Sequence, residues 1–254
     1  MISDTILFFD SGVGGLTTLC QCLKFCPNHH YVYYADVDNM PYGRRPRKDL
    51  QTLIKNKISQ LIVRFSPCVV VLACNTATSV GISELRAKYP KIIFIGTEPA
   101  VIPAIKIKKR ILLMATHNTI RFSKIVNLVD NYYPLVKVCP QRLASLIERN
   151  FDNVGLLNKY LTRLLRPFKD KVDCVVLGCT HYVFCKSMIQ DIMGKDVLVL
   201  DGNVGIAQRL SYCLNLFNIN NSTQTIEFCN TAIDQQHVLR AFGYLNNGGN
   251  VCAG

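Results

Sequence analysis

The sequence predicts an α/β protein made of two similar parallel-sheet α/β domains related by pseudo-symmetry, with the active site in the cleft between them. Three observations predict it. Short runs of β-branched and apolar residues alternate with longer segments of helical spacing. Several of those runs recur at a single offset along the chain. Two of the recurring runs end in a matched cysteine.

Taken in order, the strand candidates are Thr5–Asp10, Tyr31–Ala35, Cys68–Ala73, Lys91–Gly96, Arg110–Ala115, Leu135–Val138, Asp173–Gly178 and Val197–Leu200. They are almost continuously apolar rather than alternating, the pattern of strands covered on both faces of a parallel sheet. Between them apolar residues fall at helical intervals. Leu16, Leu19, Cys20 and Leu23 form one such stripe, and Leu50, Leu53, Ile54, Lys57, Ile58, Leu61 and Ile62 form another.

Repetition organises these elements. The run from Ile6 recurs from Ile111, the run ending at Cys74 recurs ending at Cys179, and the run from Ile92 recurs from Val197. Each pair is 105 apart (6 to 111, 74 to 179, 92 to 197). Apolar strands resemble one another easily, so the matched cysteines carry more weight than the strands. Two α/β halves facing a shared cleft explain the offset most simply. The boundary is expected near Glu98-Pro99-Ala100, with a return to the first half after Asp201-Gly202-Asn203. That gives a discontinuous first domain, 1–97 plus 207–254, and a second domain, 98–206. The tail Asn246-Asn247-Gly248-Gly249-Asn250 is expected to be loose.

Bulk properties bound the function. A chain of 254 residues accommodates two domains of roughly 100–150 residues each. Its 49% hydrophobic and 18% charged content predicts an ordinary packed core. No apolar run approaches the roughly 18–20 residues that span a bilayer, so no membrane partner is expected. Met1 to Asp10 has no basic region of the secretory type, and a cytoplasmic location is expected. Twelve cysteines are then expected as free thiols, with Cys68, Cys139, Cys174 and Cys229 read as small buried hydrophobes.

The net charge of +12 comes partly from Arg44-Arg45-Pro46-Arg47-Lys48 and Lys106-Ile107-Lys108-Lys109-Arg110. A basic balance favours carboxylate, nucleotide or nucleic-acid partners, although a solvated basic surface is the plainer reading. No aromatics interleave with these charges and no nucleic-acid-binding motif is visible, so nucleic acid is not the expected partner.

In open α/β sheets ligands bind beyond the carboxyl ends of the strands. Those ends here carry Asp10-Ser11-Gly12, Asp36 to Gly43, Cys74-Asn75-Thr76, Ala115-Thr116 and Cys179-Thr180-His181. Cys74 and Cys179 each precede a helix start, where the helix dipole and backbone amides are expected to lower a thiol pKa. The same amides, with Asn75, Thr76 and Thr180, suit a carboxylate. Two such thiols on opposite walls could invert an amino-acid Cα, one removing the proton while the other delivers a proton to the opposite face. Asp10 and His181 are placed to assist one thiol each. Asp10 has a second reading, as cap of a helix beginning near Val13. His181 could be a satisfied, partly buried histidine, and Glu148 reads by default as an exposed helix face.

Gly12-Val13-Gly14-Gly15 could cradle an anion but matches neither the dinucleotide fingerprint nor a P-loop. Val80 and Cys185 stand where a thiol phosphatase loop needs arginine. Cys20, Cys22, Cys26, His29 and His30 lack a paired C-x-x-C, and no metal site is expected.

At this point the residues resemble the bacterial glutamate racemases. The resemblance is carried by Asp10 to Leu16, Tyr34-Ala35-Asp36 with Pro41-Tyr42-Gly43, Ala73 to Ala77, Glu98-Pro99-Ala100, Thr116 with Thr119, and Leu177 to Tyr182. It spans roughly Thr5 to Arg209 in the family's order. It implies interconversion of L- and D-glutamate without cofactor or metal, supplying D-glutamate for peptidoglycan. It further implies Cys74 and Cys179 as catalytic thiols. Asp10-Ser11, Tyr42-Gly43, Asn75-Thr76 and Thr180-His181 become substrate contacts, with Thr116 and Thr119 as further ones. Pro41 and Glu148 become supporting residues, Glu148 by spacing alone.

Three positions depart from the family: Val183 replaces a usual proline, Ala115 a usual glycine, and Asp201-Gly202-Asn203 the commoner Asp-Ser-Gly. The short lead before Asp10 implies no activation by a cell-wall precursor. Some members self-associate, so a homodimer is compatible with the resemblance. The alternatives are a related racemase of aspartate or another amino acid, and a non-catalytic or secondary nucleic-acid-binding role through the basic surface.

Overall fold

The computed structural model describes residues 4–107, 110–219, 223–230 and 232–247. Nine strands are present among them: β1 (Thr5–Asp10), β2 (His30–Ala35), β3 (Val69–Leu72), β4 (Ile93–Gly96), β5 (Ile111–Ala115), β6 (Val136–Val138), β7 (Cys174–Gly178), β8 (Leu198–Leu200) and β9 (Thr225–Phe228). The helices are α1 (Leu16–Phe25), α2 (Arg47–Phe65), α3 (Asn75–Lys88), α4 (Val101–Ile107), α5 (His117–Phe122), α6 (Lys124–Tyr132), α7 (Leu143–Asn150), α8 (Val154–Leu165), α9 (Lys186–Met193), α10 (Asn203–Leu216) and α11 (Ala232–Asn246). All eight expected strands form. β9 was not expected, because its four residues form no apolar run and are partly exposed at a sheet edge.

The strands make two all-parallel sheets, ordered β4-β3-β1-β2-β9 and β6-β5-β7-β8. Read from its other edge, the second sheet is β8-β7-β5-β6, the same order as the first four strands of the first sheet. The duplication extends to hydrogen-bond register. Ile6 pairs with Val69 in one sheet, and Ile111 pairs with Cys174 in the other. Val69 pairs with Ile93, and Cys174 with Leu198. The 105-residue offset thus describes backbone geometry as well as sequence.

Alternate strand residues feed different cores, because successive side chains point to opposite sheet faces. Leu7, Phe9, Val32, Val70 and Leu72 meet Leu50, Ile54, Ile58 and Leu61 of α2. In the second half Ile111, Leu113, Cys174 and Val176 meet Val101, Ala104, Val126 and Val129 of α4 and α6. The opposite faces of both sheets share one core, in which Ile6, Phe8 and Val71 join Leu112, Met114, Val175 and Leu177. That continuous core sets the two halves against each other.

The tail expected to be loose begins within α11, which runs to Asn246 because Val238, Ala241 and Leu245 are fully buried. Gly248, Gly249 and Asn250 lie outside the described residues. Among the described residues no helix is long and apolar enough to cross a membrane.

The loop after β1 is the tightest join between the halves. A Cβ at Gly14 would lie 2.5 Å from His181 Nδ1 and 2.7 Å from the His181 backbone nitrogen, so it cannot be absorbed by a side-chain rotation. Gly14→Ala is expected to lower urea-unfolding stability by about 1–3 kcal/mol. Gly205→Ala in α10 meets nothing within 4 Å and is expected to raise stability by about 0.4–1 kcal/mol. Equal effects of the two substitutions would contradict this reading of the join.

Candidate active site

The carboxyl ends of both sheets open on one cavity containing about 610 Å³ of empty space, part of it exposed to solvent. Cys74 and Cys179 both line it. Ser11, Pro41, Tyr42, Gly43, Asn75 and Thr76 complete one wall, while Thr116, Thr180 and His181 stand on the other. Three residues read from the sequence lie behind the walls rather than in them: Asp10, Thr119 and Glu148 are buried and do not line the cavity.

Cys74 terminates the apolar run of β3 and caps α3, its sulfur accepting the Ala77 amide at 3.5 Å. Ser11 Oγ lies 3.7 Å from the same sulfur. The expectation that a helix start lowers this thiol's pKa is overturned. Burial, reinforced by the nearby Asp10 carboxyl, pushes Cys74 up to about 12, and the Ala77 amide offsets this only in part. Cys74 is thus held as a thiol.

Cys179 follows β7 but enters a 3-10 segment, Thr180–Cys185, before α9 begins at Lys186. Its sulfur caps no amide. The α-helical start expected directly after it is therefore absent, and its charged neighbour is a side chain. Burial disfavours a charged His181 imidazole, but hydrogen bonds to Cys179 and Glu148 outweigh it and hold His181 well above its ordinary range.

Glu148 corrects the exposed-helix reading. It lies on the inner face of α7, only 5% exposed. Its Oε2 accepts from the Val13 amide at 2.9 Å and from His181 Nε2 at 2.6 Å, and its Oε1 accepts from His237 Nε2 at 3.1 Å. Burial alone would raise its pKa, but the bonds from the two histidines hold it at about 2. The glycine loop of the first half does cradle an anion, and the anion is this carboxylate. A Cβ at Gly12 would lie 2.3 Å from Glu148 Oε2.

Asp10 caps no helix. Its Oδ1 accepts the Gly12 amide at 2.9 Å, and its Oδ2 accepts the Thr180 hydroxyl from the opposite half at 3.0 Å. Complete burial raises it to about 6, although His181 and the two hydrogen bonds pull the other way. The halves are thus clasped reciprocally: each contributes a buried carboxylate that accepts a donor of the other.

Further donors join the same face. The hydroxyls of Thr76 and Thr116 are 2.9 Å apart across the cleft, and Thr119 backs both, at 3.3 and 2.9 Å. Asn75 Nδ2 donates to Thr97 O at 3.2 Å, which fixes its side chain. Tyr42 turns its hydroxyl away to Asp36 Oδ2 at 2.5 Å, so its ring anchors the loop. Asn118 donates to the carbonyls of Tyr42 and Arg45, and a Cβ at Gly43 would lie 2.9 Å from Thr116 Cβ.

Sequence reasoning placed Cys139 among small buried hydrophobes and Arg44 on a solvated basic surface, yet both line the cavity. Pro140, Gln141 and Ser145 accompany them, and no strand-end signal marks that stretch. Val183, Ala115 and Gly202 lie outside the cavity lining. Gly202 fits because a Cβ there would lie 2.8 Å from Glu98 O. Among the described residues, no group of three or more His, Cys, Asp or Glu side chains is placed to hold a metal ion.

The sequence profile of the Asp/Glu/Hydantoin racemase family matches residues 21–210. A glutamate racemase of Clostridium perfringens (strain ATCC 13124) is 38% identical over 225 residues, 85% of either chain. The chain belongs to this racemase family. Among solved structures, glutamate racemase isoform RacE1 from Bacillus anthracis aligns with a TM-score of 0.82 at 26% identity, covering 96% of both chains. Escherichia coli glutamate racemase in complex with L-glutamate and the activator UDP-MurNAc-ala shares the fold. It gives a TM-score of 0.82 at 24% identity, covering 98% of this chain and 96% of its own.

In this family member the Glu148 cluster yields a stability prediction. Glu148→Gln leaves the buried His181 cation without its counter-charge, and about 3–5 kcal/mol of unfolding free energy is expected to be lost at neutral pH. The folded pKa of Glu148 is depressed from 4.5 to about 2, so its contribution is complete above 4.5 and disappears as pH falls toward 2. Urea unfolding should show the gap between wild type and variant closing over that window. A gap independent of pH there would refute the assignment.

Proposed function

We propose that the protein is a glutamate racemase that interconverts L- and D-glutamate by two-thiol acid/base transfer at Cα, without a cofactor. One observation carries this: Cys74 and Cys179, from matched strand ends of the two halves, line a single cavity in unlike proton environments. On this reading residues 1–97 with 207–254 form one domain and residues 98–206 the other, each contributing one thiol.

Racemisation needs a base on one face of Cα and an acid on the other at the same moment. Cys74, buried beside Asp10, is held as the thiol and serves as acid. Cys179, beside a His181 held cationic, serves as base. The Cys179 thiolate takes the α-proton as Cys74 delivers its own to the opposite face. This leaves Cys179 as thiol, Cys74 as thiolate and the substrate inverted. Asp10, at about 6, then exchanges a proton with Cys74 by way of Ser11, while His181 does so for Cys179. Running the same steps backward converts the other enantiomer.

The cavity donors suit an anionic amino acid. Asn75, Thr76, Thr116 and Thr180 offer neutral hydrogen bonds, and the rim carries Arg44. The likeness to enzymes named glutamate racemase supports glutamate over aspartate, and D-glutamate would serve peptidoglycan synthesis in the cytoplasm.

Incubating either glutamate enantiomer in deuterated water tests the reading. Wild type is expected to place deuterium at Cα and to abolish optical rotation. Cys74→Ser and Cys179→Ser should each lower kcat for racemisation by about 10²–10⁴-fold. A variant that racemises at the wild-type rate would remove its thiol from the mechanism.

The pH profile gives a second test. In the backward direction Cys74 is the base and Asp10 takes its proton only when ionised, so kcat/KM should rise as pH increases through about 6, and Asp10→Asn should lack that limb. An unchanged limb in the variant would assign it to another group.

A further inference from the structure

Behind the catalytic wall the chain of hydrogen bonds continues to a residue that does not line the cavity. His237, on α11, donates from Nε2 to Glu148 Oε1 at 3.1 Å. The other carboxylate oxygen holds His181 Nε2 and the Val13 amide. His181, which lines the cavity, Glu148 and His237 therefore form one continuous relay from the cavity to the C-terminal helix.

Three observations make this an organised support rather than a chance contact. First, the carboxylate is saturated asymmetrically. With Oε1 occupied by His237, the plane of Glu148 is fixed and Oε2 is left aimed at His181. Second, the members become more exposed outward: the side chains of His181 and Glu148 are 2% and 7% exposed, that of His237 25%. Third, α11 grips both elements it would have to align. Phe151, at the end of α7, packs tilted against the His237 ring at 5.7 Å and against Tyr244 at 5.5 Å between centroids. Phe184, in the same 3-10 segment as His181, is parallel to Tyr244 at 6.5 Å. Val238, Ala241 and Leu245 anchor the helix in the shared core.

We propose that His237 is a positioning residue: through Glu148 it holds the His181 imidazole against Cys179, so that the C-terminal helix sets the geometry of one of the two acid/base groups. The proposal rests on the racemase reading. His237 touches neither the cavity nor Cys179, so it acts on proton transfer and leaves substrate affinity alone.

The test compares His237→Leu with His237→Gln, whose side-chain amide can still donate to Glu148. The leucine variant is expected to lose about tenfold in kcat, the equivalent of one charge-assisted hydrogen bond, with KM within about twofold of wild type. Glutamine should recover most of that loss. In a Glu148→Gln background, His237→Leu should cost nothing further, because the pathway is already cut.

A readout that needs no turnover is the His181 Nε2–H resonance in NMR. It should move in His237→Leu and stay in place in Leu239→Ala, a substitution at an exposed position of the same helix. Circular dichroism confirms folding of each variant. A folded His237→Leu with wild-type kcat, a loss confined to KM, an equal loss in the Glu148→Gln background, or an unmoved His181 resonance would each overturn the proposal. An inactive wild type would overturn the racemase reading while the resonance still decides the positioning role.

Discussion

The arrangement depends on a buried negative charge at Glu148. A carboxylate removed from water costs several kcal/mol unless it is well paired and fully hydrogen-bonded. Here three donors from three separate elements meet it, two of them histidines. That requirement dictates much of the neighbourhood. The loop after β1 has to be glycine at positions 12 and 14, since a single Cβ at either would displace the carboxylate or His181. α7 has to turn its acidic residue inward, and the 3-10 segment after β7 has to present His181 rather than begin a regular helix. Local preferences are subordinated to one electrostatic condition, which pins the halves together at the cleft within the frame their shared core sets.

The scaffold is duplicated but its electrostatics are not. Strand order and register repeat between the sheets, and the cysteines occupy equivalent strand ends. Their supports differ in kind. Cys74 is buried beside the Asp10 carboxyl, which favours the neutral thiol, and its one capped amide offsets this only in part. Cys179 has an imidazole held positive by a buried carboxylate. Two-base inversion requires this inequality at any instant, because two thiols or two thiolates would lack either base or acid. A symmetric fold places two equally buried sulfurs in one cavity, and unlike neighbours, Asp10 for one and His181 for the other, set them apart.

The strands were legible in the sequence because both faces of each sheet are covered, which forces continuous apolar runs, and the repeat was legible because strand ends keep their spacing. β9 was hidden for the opposite reason, being a short edge strand half open to solvent. The cavity wall was readable where it follows strands, as at Cys74 and Cys179. It was unreadable at Cys139 to Ser145, where position comes from a loop and the start of α7. The helix-dipole argument for Cys74 failed on magnitude: one amide hydrogen bond to sulfur is weaker than the desolvation of a fully buried thiolate. Glu148 misled because the Leu-Ile-Glu-Arg run around it looks amphipathic, and only tertiary contact shows which side of the helix carries the partner.

A cavity backed by two carboxylates would ordinarily repel a dicarboxylate ligand, so the proposed substrate demands an account of their charge. Glu148 is ionised, yet its charge is matched by the His181 cation at 2.6 Å, and it sits behind the wall. Asp10 is the more exposed problem electrostatically, since it neighbours the Cys74 side. Its value, raised to about 6, still leaves it largely ionised at neutral pH, but Gly12 and Thr180 engage one oxygen each. What faces the cavity is then a set of neutral hydroxyl and amide donors, a cationic imidazole and the guanidinium of Arg44 at the rim. The buried acids are engaged by donors behind the wall, and an anion entering the cleft meets donors first.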